Sequence, residues 1–235
     1  MAKFSRGKNL KNWRSQKPSA KTGKLRIVGG QFRGRQITYS GDPVTRPMKD
    51  DIREAVFNLI GGWVPGRAVF DLFSGTGAMG LEAISRGASQ AFLIERHFPT
   101  IRIIRENVQS LEQDLPVNIV AEDTFFWVRH FLEATDQLPA EPWLVFCCPP
   151  YEMFLSDAGQ LMDMLVSLMQ SAPPNSLFVV ESDERFNTEL LPRSDQWFSR
   201  QYAPALISIY RESKGQNADP LSTEGLLPGT PQADL

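Results

Sequence analysis

Short apolar runs alternate with amphipathic stretches along the chain, and the two periods separate strands from helices. Ala68–Phe73, Ala91–Glu95, Val117–Ala121, Trp143–Cys147 and Leu177–Glu181 are compact apolar segments and predict strands. Between them, Gly77–Ser85, Pro99–Leu111, Thr124–Leu132 and Asp157–Gln170 carry apolar residues at helical spacing. Phe125, Val128 and Leu132 share one side of the third helix. Trp143–Cys147 is apolar throughout, as a central parallel strand buried on both faces should be. Trp197–Tyr202 and Leu206–Arg211 read as a closing antiparallel pair with no helix between them. Regular β and α alternation predicts an α/β fold, a parallel sheet covered on both faces.

Ahead of this pattern, Leu25–Gly29 and Arg35–Tyr39 flank a Gly-rich turn and predict a hairpin. Lys49–Gly61 predicts a helix, with Ile52, Val56, Phe57, Leu59 and Ile60 near helical spacing and glycines to stop it. Four segments follow: a basic arm over 1–24, expected to be disordered; a hairpin and helix over 25–62; the α/β domain over 63–212; and a polar, Pro/Gly-rich tail over 213–235, also expected to be disordered.

Composition adds little: 42% hydrophobic and 22% charged residues are ordinary for a soluble globular chain. The apolar runs are too short to span a bilayer, and no apolar segment of secretory type follows the first Met, so no membrane association is expected. The two cysteines, Cys147 and Cys148, are adjacent, which excludes a disulfide framework and suits a reducing cytoplasm. His97 and His130 stand far apart, and no Cys/His spacing suggests a metal site.

Charge changes the picture. Residues 1–40 hold eleven Lys or Arg and no acid, while the rest of the chain carries a balance of −13. A basic arm on an acidic body predicts a polyanionic partner; a solubilising leader is the bland alternative. Arg26, Arg33 and Arg35 beside Phe32 interleave basic and aromatic residues on the hairpin, a pattern that suits RNA and also an ordinary exposed hairpin.

The strongest local signal is Phe70–Gly80, FDLFSGTGAMG, a strand running through a Gly-rich turn into a helix. Gly75 and Gly77 allow a tight turn and close approach to a ligand, and the helix start offers free N–H groups to an anion. Gly75–Gly80 also fits the dinucleotide pattern G-x-G-x-x-G. Asp71 counts against a nicotinamide cofactor, since it would repel a pyrophosphate and welcome an amino group. Glu95 ends the second strand, where a carboxylate can accept both ribose hydroxyls. Asp123 is placed to contact an adenine edge, with Thr124 and Phe125 nearby; capping the following helix is its alternative role.

The fourth strand runs into Cys148-Pro149-Pro150-Tyr151. Here the chain resembles amino-methyltransferases with an [Asp/Asn]-Pro-Pro-[Tyr/Phe] motif, and more closely the type D family of bacterial small-subunit (16S) ribosomal RNA guanine-N2 methyltransferases. The likeness runs from about Leu25 to Arg211 through LRIVGGQFRGR, TRP, DDIREAVFN, DLFSGTGAMGLEA, LIE and PPY. It implies a class I methyltransferase: a Rossmann-like seven-stranded sheet with an N-terminal β-hairpin and helix extension. It also implies S-adenosylmethionine as cofactor, ribosomal RNA or the small subunit as partner, and a monomer. Asp71, Phe73, Gly75, Gly77, Glu95, Arg96, Asp123 and Thr124 would bind the cofactor. Cys148, Pro149, Pro150 and Tyr151 would form the catalytic loop. Arg26, Arg33, Arg35 and Arg46 would meet RNA.

An exocyclic amine attacks a sulfonium methyl only once its lone pair is localised, and two hydrogen-bond acceptors on its N–H groups do this. Rigid prolines fix the acceptors and Tyr151 stacks the base, worth about 1–3 kcal/mol. The chain departs from the family at Cys148, where a thiol, a weak acceptor, replaces Asp or Asn. Met48, Asp51 and His97 also depart from the pattern, and His97 is expected to face solvent. Three alternatives to guanine-N2 methylation stay open: a catalytically impaired RNA-binding or assembly protein, an adenine-N6 or cytosine-C5 methyltransferase, and, distantly, a nicotinamide enzyme.

Overall fold

The computed structural model of the chain describes residues 22–41 and 47–212. The basic arm up to residue 21, the Thr45-Arg46 pair and the tail after residue 212 lie outside the described residues. Strands β1 (Gly23–Arg26) and β2 (Gln36–Tyr39) pair antiparallel, Leu25 opposite Ile37, and α1 (Asp50–Ile60) follows. Seven more strands form one sheet: β3 (Ala68–Asp71), β4 (Gln90–Ile94), β5 (Val117–Val120), β6 (Trp143–Cys147), β7 (Leu177–Asp183), β8 (Phe198–Tyr202) and β9 (Ala205–Arg211). Helices α2 (Ala78–Ser85), α3 (Phe98–Leu111), α4 (Thr124–Glu133), α5 (Met153–Ser156) and α6 (Ala158–Ser171) lie between the parallel strands.

The sheet order is β5-β4-β3-β6-β7-β9-β8. Strands β3 to β7 are parallel, and β9 runs antiparallel to both β7 and β8. The predicted elements therefore stand, with shifts of one to three residues at their ends. Two features were not foreseen: β7 continues to Asp183, and α5 follows the Pro-Pro segment.

Alternating side chains feed two cores, one on each face of the sheet. Val69, Leu144, Phe146, Leu177 and Val179 pack against α1, α2, α3 and the hairpin. Phe70, Val145, Cys147, Phe178 and Val180 pack against α4, α5 and α6. Ile27, Phe32 and Ile37 of the hairpin region and Val56, Phe57 and Ile60 of α1 belong to the first of these cores, so segment 25–62 has no separate one.

A buried charge cluster fastens that segment down. Glu82 on α2 and Arg53 on α1 are both fully buried. Glu82 accepts from the Val28 backbone N–H at 2.7 Å and from Arg86 Nε at 2.7 Å. Arg53 donates to the Arg26 carbonyl and to Asp50 at 2.8 Å, with its Nε 3.7 Å from Glu82.

From β3 the chain steps outward to β4 and β5, then returns to the other side of β3 as β6. That reversal opens a crevice above the carboxyl ends of β3 and β6, the place where open α/β sheets bind ligands.

Candidate active site

Five strand ends deliver chemistry to this crevice. At the end of β3, Gly75 and Gly77 hold φ of 49° and 75°, a left-handed turn that glycine adopts without penalty. The Gly77 N–H returns to the Ser74 carbonyl at 2.7 Å, and α2 starts at Ala78. A Cβ on Gly80 would stand 2.1 Å from Leu93, so the helix packs directly on β4. Gly80 also donates its N–H to Asp71 Oδ2 at 3.1 Å. Burial pushes the Asp71 carboxyl up to about 7; the Gly80 N–H opposes this and the charge of Glu95 adds to it. Such a group ionises readily once a cation is placed beside it.

At the end of β4, Glu95 braces the loop. It accepts the Gly75 N–H at 3.0 Å on one oxygen and the His97 N–H at 2.8 Å on the other. His97, expected to face solvent, is half-buried instead, and its ring pairs with Thr100 at 2.8 Å where α3 begins. Arg96 is exposed and reaches Asp123 only at 3.4 Å, a weak pair.

At the end of β5, Asp123 caps α4, accepting the Phe125 and Phe126 N–H groups at 3.1 and 3.3 Å on one oxygen. The capping role weighed from the sequence is thus present. Thr124 is buried and donates its hydroxyl to the Leu72 carbonyl, tying α4 to the glycine loop. Phe73 and Phe125 meet edge to face with centroids 6.1 Å apart, forming an aromatic corner between the β3 and β5 ends.

At the end of β6, Cys147 is buried and Cys148 half-buried, facing opposite sides of the sheet. Burial pushes the Cys147 thiol up to about 12. Burial, then the charges of Glu181 and Asp71, hold the Cys148 thiol well above its ordinary value. Both are neutral thiols near pH 7. Pro149 is buried and Pro150 exposed. The Pro150 carbonyl accepts the Met153 N–H at 2.9 Å, so α5 starts directly from the loop. Tyr151 donates its hydroxyl to Glu181 Oε1 at 2.8 Å.

Glu181, near the end of β7, is the site residue that sequence reasoning missed. Its signal was present: like Asp71, it is an acid at the carboxyl end of an apolar parallel strand.

The site thus gathers Asp71, Phe73, Gly75, Gly77, Glu95, Asp123, Thr124 and the Cys148–Tyr151 loop. It does not gather the hairpin arginines. Arg33 and Arg35 are exposed beside the far ends of α2 and α3: the turn before them bonds Ser85, and Arg35 donates to the Ser110 carbonyl. Helix α2 alone sets the turn roughly 12 Å from the glycine loop. Arg26 is exposed on β1, and Arg46 lies outside the described residues. Among the described residues no cluster of His, Cys, Asp and Glu could hold a metal ion, and no helix is long and apolar enough to cross a membrane.

The donor set fits S-adenosylmethionine. Asp71 offers a carboxylate to an ammonium group, Glu95 one to a ribose diol, the start of α2 N–H groups to a carboxylate, and Phe73 and Phe125 apolar surface to a purine.

Comparison with known proteins agrees. Residues 25–211 match a protein family described as Conserved hypothetical protein 95. The chain is 31% identical over 185 residues to ribosomal RNA small subunit methyltransferase D of Escherichia coli K12, spanning 72% of this chain and 85% of that one. It is 29% identical over 173 residues to the protein of the same name in Haemophilus influenzae, spanning 72% and 83%. Among solved structures, Escherichia coli yhhF superposes with a TM-score of 0.64 at 26% identity, covering 82% of this chain and all of that one. A Thermus thermophilus protein gives 0.63 at 28%, covering 79% and 98%. The fold is that of class I methyltransferases.

Proposed function

The chain belongs to the family of ribosomal RNA small subunit methyltransferase D, and from that premise we propose that it methylates the exocyclic N2 amine of a guanine in small-subunit ribosomal RNA. It is a methyltransferase, and its cofactor is S-adenosylmethionine. The observation that carries an exocyclic-amine acceptor is the loop after β6, where Cys148, Pro149, Pro150 and Tyr151 follow the strand next to the one that ends in the glycine turn; the choice of guanine rests on the resemblance to the guanine-N2 methyltransferase family.

Bound S-adenosylmethionine supplies a methyl group on a sulfonium centre. Asp71 holds the amino group of its methionine tail, and the start of α2 the carboxylate. Glu95 holds the ribose, and Phe73 and Phe125 flank the adenine. Arg96, Asp123 and Thr124 shape the rim on that side. Tyr151 is the platform on which the target base stacks, with its ring fixed by the hydroxyl bond to Glu181. The Cys148 carbonyl, held by the prolines, accepts one N–H of the amine. Positioning of this kind provides a large share of the rate.

The neutral Cys148 thiol disfavours the C5-pyrimidine alternative, which requires a nucleophilic thiolate. The same thiol is a poor substitute for the family's Asp or Asn, and it is the one observation that favours the impaired RNA-binding alternative. Arg26, Arg33 and Arg35 would contact RNA phosphates along the flank away from the crevice, and Arg46 and the basic arm, outside the described residues, would add RNA contacts of their own. A ribosomal substrate and two free cysteines favour a cytoplasmic protein, and we take it to act as a monomer.

The test is transfer of a labelled methyl group from S-adenosylmethionine to unmethylated small ribosomal subunits, followed by nucleoside analysis. N2-methylguanosine is expected. Label in adenine or cytosine, or no label with cofactor binding intact, overturns the proposal.

A further inference from the structure

Ribosomal RNA as the substrate, the reading on which this inference rests, is a ligand large enough to reach the amino edge of the sheet, opposite the crevice. There two arginines share one tryptophan. Trp63 lies between α1 and β3, Arg67 immediately precedes β3, and Arg211 ends β9. The Arg67 guanidinium carbon lies 5.2 Å from the centroid of the Trp63 ring, and that of Arg211 3.9 Å. Val69, Leu144 and Leu177 are level with Arg211 in the sheet register and belong to the first core, against which Trp63 also packs. Side chains alternate between faces along a strand, so Arg67, two residues before Val69, stands on that same face.

Among the described residues neither guanidinium has a carboxylate partner. Arg67 is only 6% exposed, and its Nε donates to the Trp63 carbonyl. Its two terminal nitrogens have no hydrogen-bond partner among the described residues and keep contact with solvent. Arg211 is exposed and donates to Asn175 Oδ1 at 3.2 Å. The neighbouring acids are engaged elsewhere: Glu141, ahead of β6, accepts from Ser89 and Gln90, both at 2.9 Å, and Glu212 accepts from Arg193 at 2.9 Å and Tyr210 at 3.0 Å. Burial, and then the charge of Arg211, hold the Arg67 guanidinium below its ordinary value. A charged side chain is seldom buried without a counter-ion, and a second cation beside it raises the cost. Such a local conflict marks a place for an anion brought from outside.

We propose that Arg67 and Arg211, gathered on Trp63, hold a backbone phosphate of the RNA at the amino edge. A guanidinium held over a ring by its face keeps its in-plane N–H donors for phosphate oxygens, which arginine can bind in pairs. The ring orders both long side chains in advance, so less entropy is lost when the phosphate arrives. Continuity with the hairpin favours RNA over a small anion. The end of α2 joins the two regions: the Gln31 N–H bonds the Ser85 carbonyl at 2.7 Å on one side, and the Gly66 N–H bonds the Gly87 carbonyl at 2.8 Å on the other. Arg33 and Arg35 therefore share an edge with Arg67 and Arg211. A polyanion lying along that edge meets all four, whereas a lone phosphate meets one pair.

The experiment treats the full chain with phenylglyoxal, a guanidinium reagent, and reads each arginine by peptide mass spectrometry. It is run with the chain alone, with protein-free small-subunit ribosomal RNA, and with inorganic phosphate at the same phosphate concentration. RNA should slow modification of Arg211 severalfold and leave Arg129, exposed on α4 across the sheet, unchanged. Inorganic phosphate should shield neither. In filter binding of the same RNA, Arg211→Gln should weaken affinity about three- to tenfold at 0.1 M salt and lower the logarithmic salt slope by about 0.7–0.9, the share of one phosphate contact. Arg129→Gln removes the same charge and should leave both values at the wild-type level. Unchanged S-adenosylhomocysteine affinity shows that Arg211→Gln is folded, and the footprint needs no variant.

Arg211 as reactive in the RNA complex as in the free chain overturns the inference, as does a wild-type salt slope in Arg211→Gln. Equal shielding by inorganic phosphate makes this a small-anion site and overturns the assignment to RNA. Methyl transfer to small subunits, run alongside, separates the two proposals. N2-methylguanosine from wild type with Arg211 unshielded sinks the phosphate site and leaves the function standing. No transfer by wild type, with Arg211 shielded by RNA and the slope lowered in Arg211→Gln, sinks the function and supports the site.

Discussion

Two side chains of the site work under conditions that their residue type alone would not suggest. Cys148 is a half-buried thiol between carboxylates, too protonated to act as a thiolate and too weak an acceptor to act as an Asp. Cys148→Asp should raise single-turnover methyl transfer by about tenfold or more, toward the size of effect typical of one well-placed electrostatic group, with cofactor affinity unchanged. Asp71 is the second case. Its folded carboxyl lies near 7 against an ordinary 3.8, so the folded chain holds that proton more tightly than the unfolded chain. Ionising it costs stability progressively as pH rises from about 4 to 7, on the order of 4 kcal/mol in all. An ammonium ligand relieves that cost only where Asp71 is ionised, with Glu95 and Cys148 as its nearest titrating neighbours. Binding of S-adenosylmethionine, followed by calorimetry, should therefore weaken up to about tenfold per pH unit below 7. Asp71→Asn should flatten that dependence, bind weakly throughout, and raise the unfolding midpoint at pH 8.

Among elements, the glycine turn and α2 act as one unit. Gly77 holds φ of 75°, and a Cβ there would stand 3.2 Å from Ile104. Gly77→Ala should cost about 1–2 kcal/mol of stability in denaturant unfolding and lose most cofactor affinity, since the turn must shift. Further along α2, Glu82 joins the helix to α1 and the hairpin through Arg53, Arg86 and the Val28 N–H. Glu82→Ala leaves Arg53 with Asp50 as its remaining carboxylate, strips the Val28 N–H and the Arg86 Nε–H of their acceptor, and should cost about 1–3 kcal/mol, read as a lower midpoint of urea unfolding. The sequence pattern locates these elements, because a two-residue period and a 3.6-residue period are local signals. It does not show that hairpin and helix share the sheet's core, since that depends on Ile37, Phe57 and Phe146 meeting across distant segments.

At the scale of the whole molecule, the groups of the crevice and the hairpin cations occupy different regions. The crevice lies at the carboxyl edge, and Arg33 and Arg35 lie beside the far ends of α2 and α3. A ligand that meets both must be large, as folded RNA is. Removing residues 1–21 takes away seven Lys or Arg. The truncated chain should bind RNA more weakly and with a shallower salt dependence, by about 0.7 in the logarithmic slope for each lost phosphate contact. A slope equal to the full chain's in filter binding would remove the arm from the RNA interface. S-adenosylhomocysteine affinity should not change.

Whatever is local is legible in the order of residues alone: the strand–helix alternation, the glycine turn after Asp71, Glu95 at a strand end, and the CPPY loop with its missing carboxylate. Each depends on residue type and spacing within a few positions, and the backbone obeys those rules wherever the segment ends up. Partnership across strands is decided by the fold. Glu181 lies thirty residues after Tyr151 and thirty-three after Cys148, and only the parallel register of β6 with β7 brings it beside both. The same holds for Asp123 acting as a helix cap and for the arginines that face away from the crevice. Their positions follow from which strands are neighbours, and that is settled by burial of two cores over the entire chain.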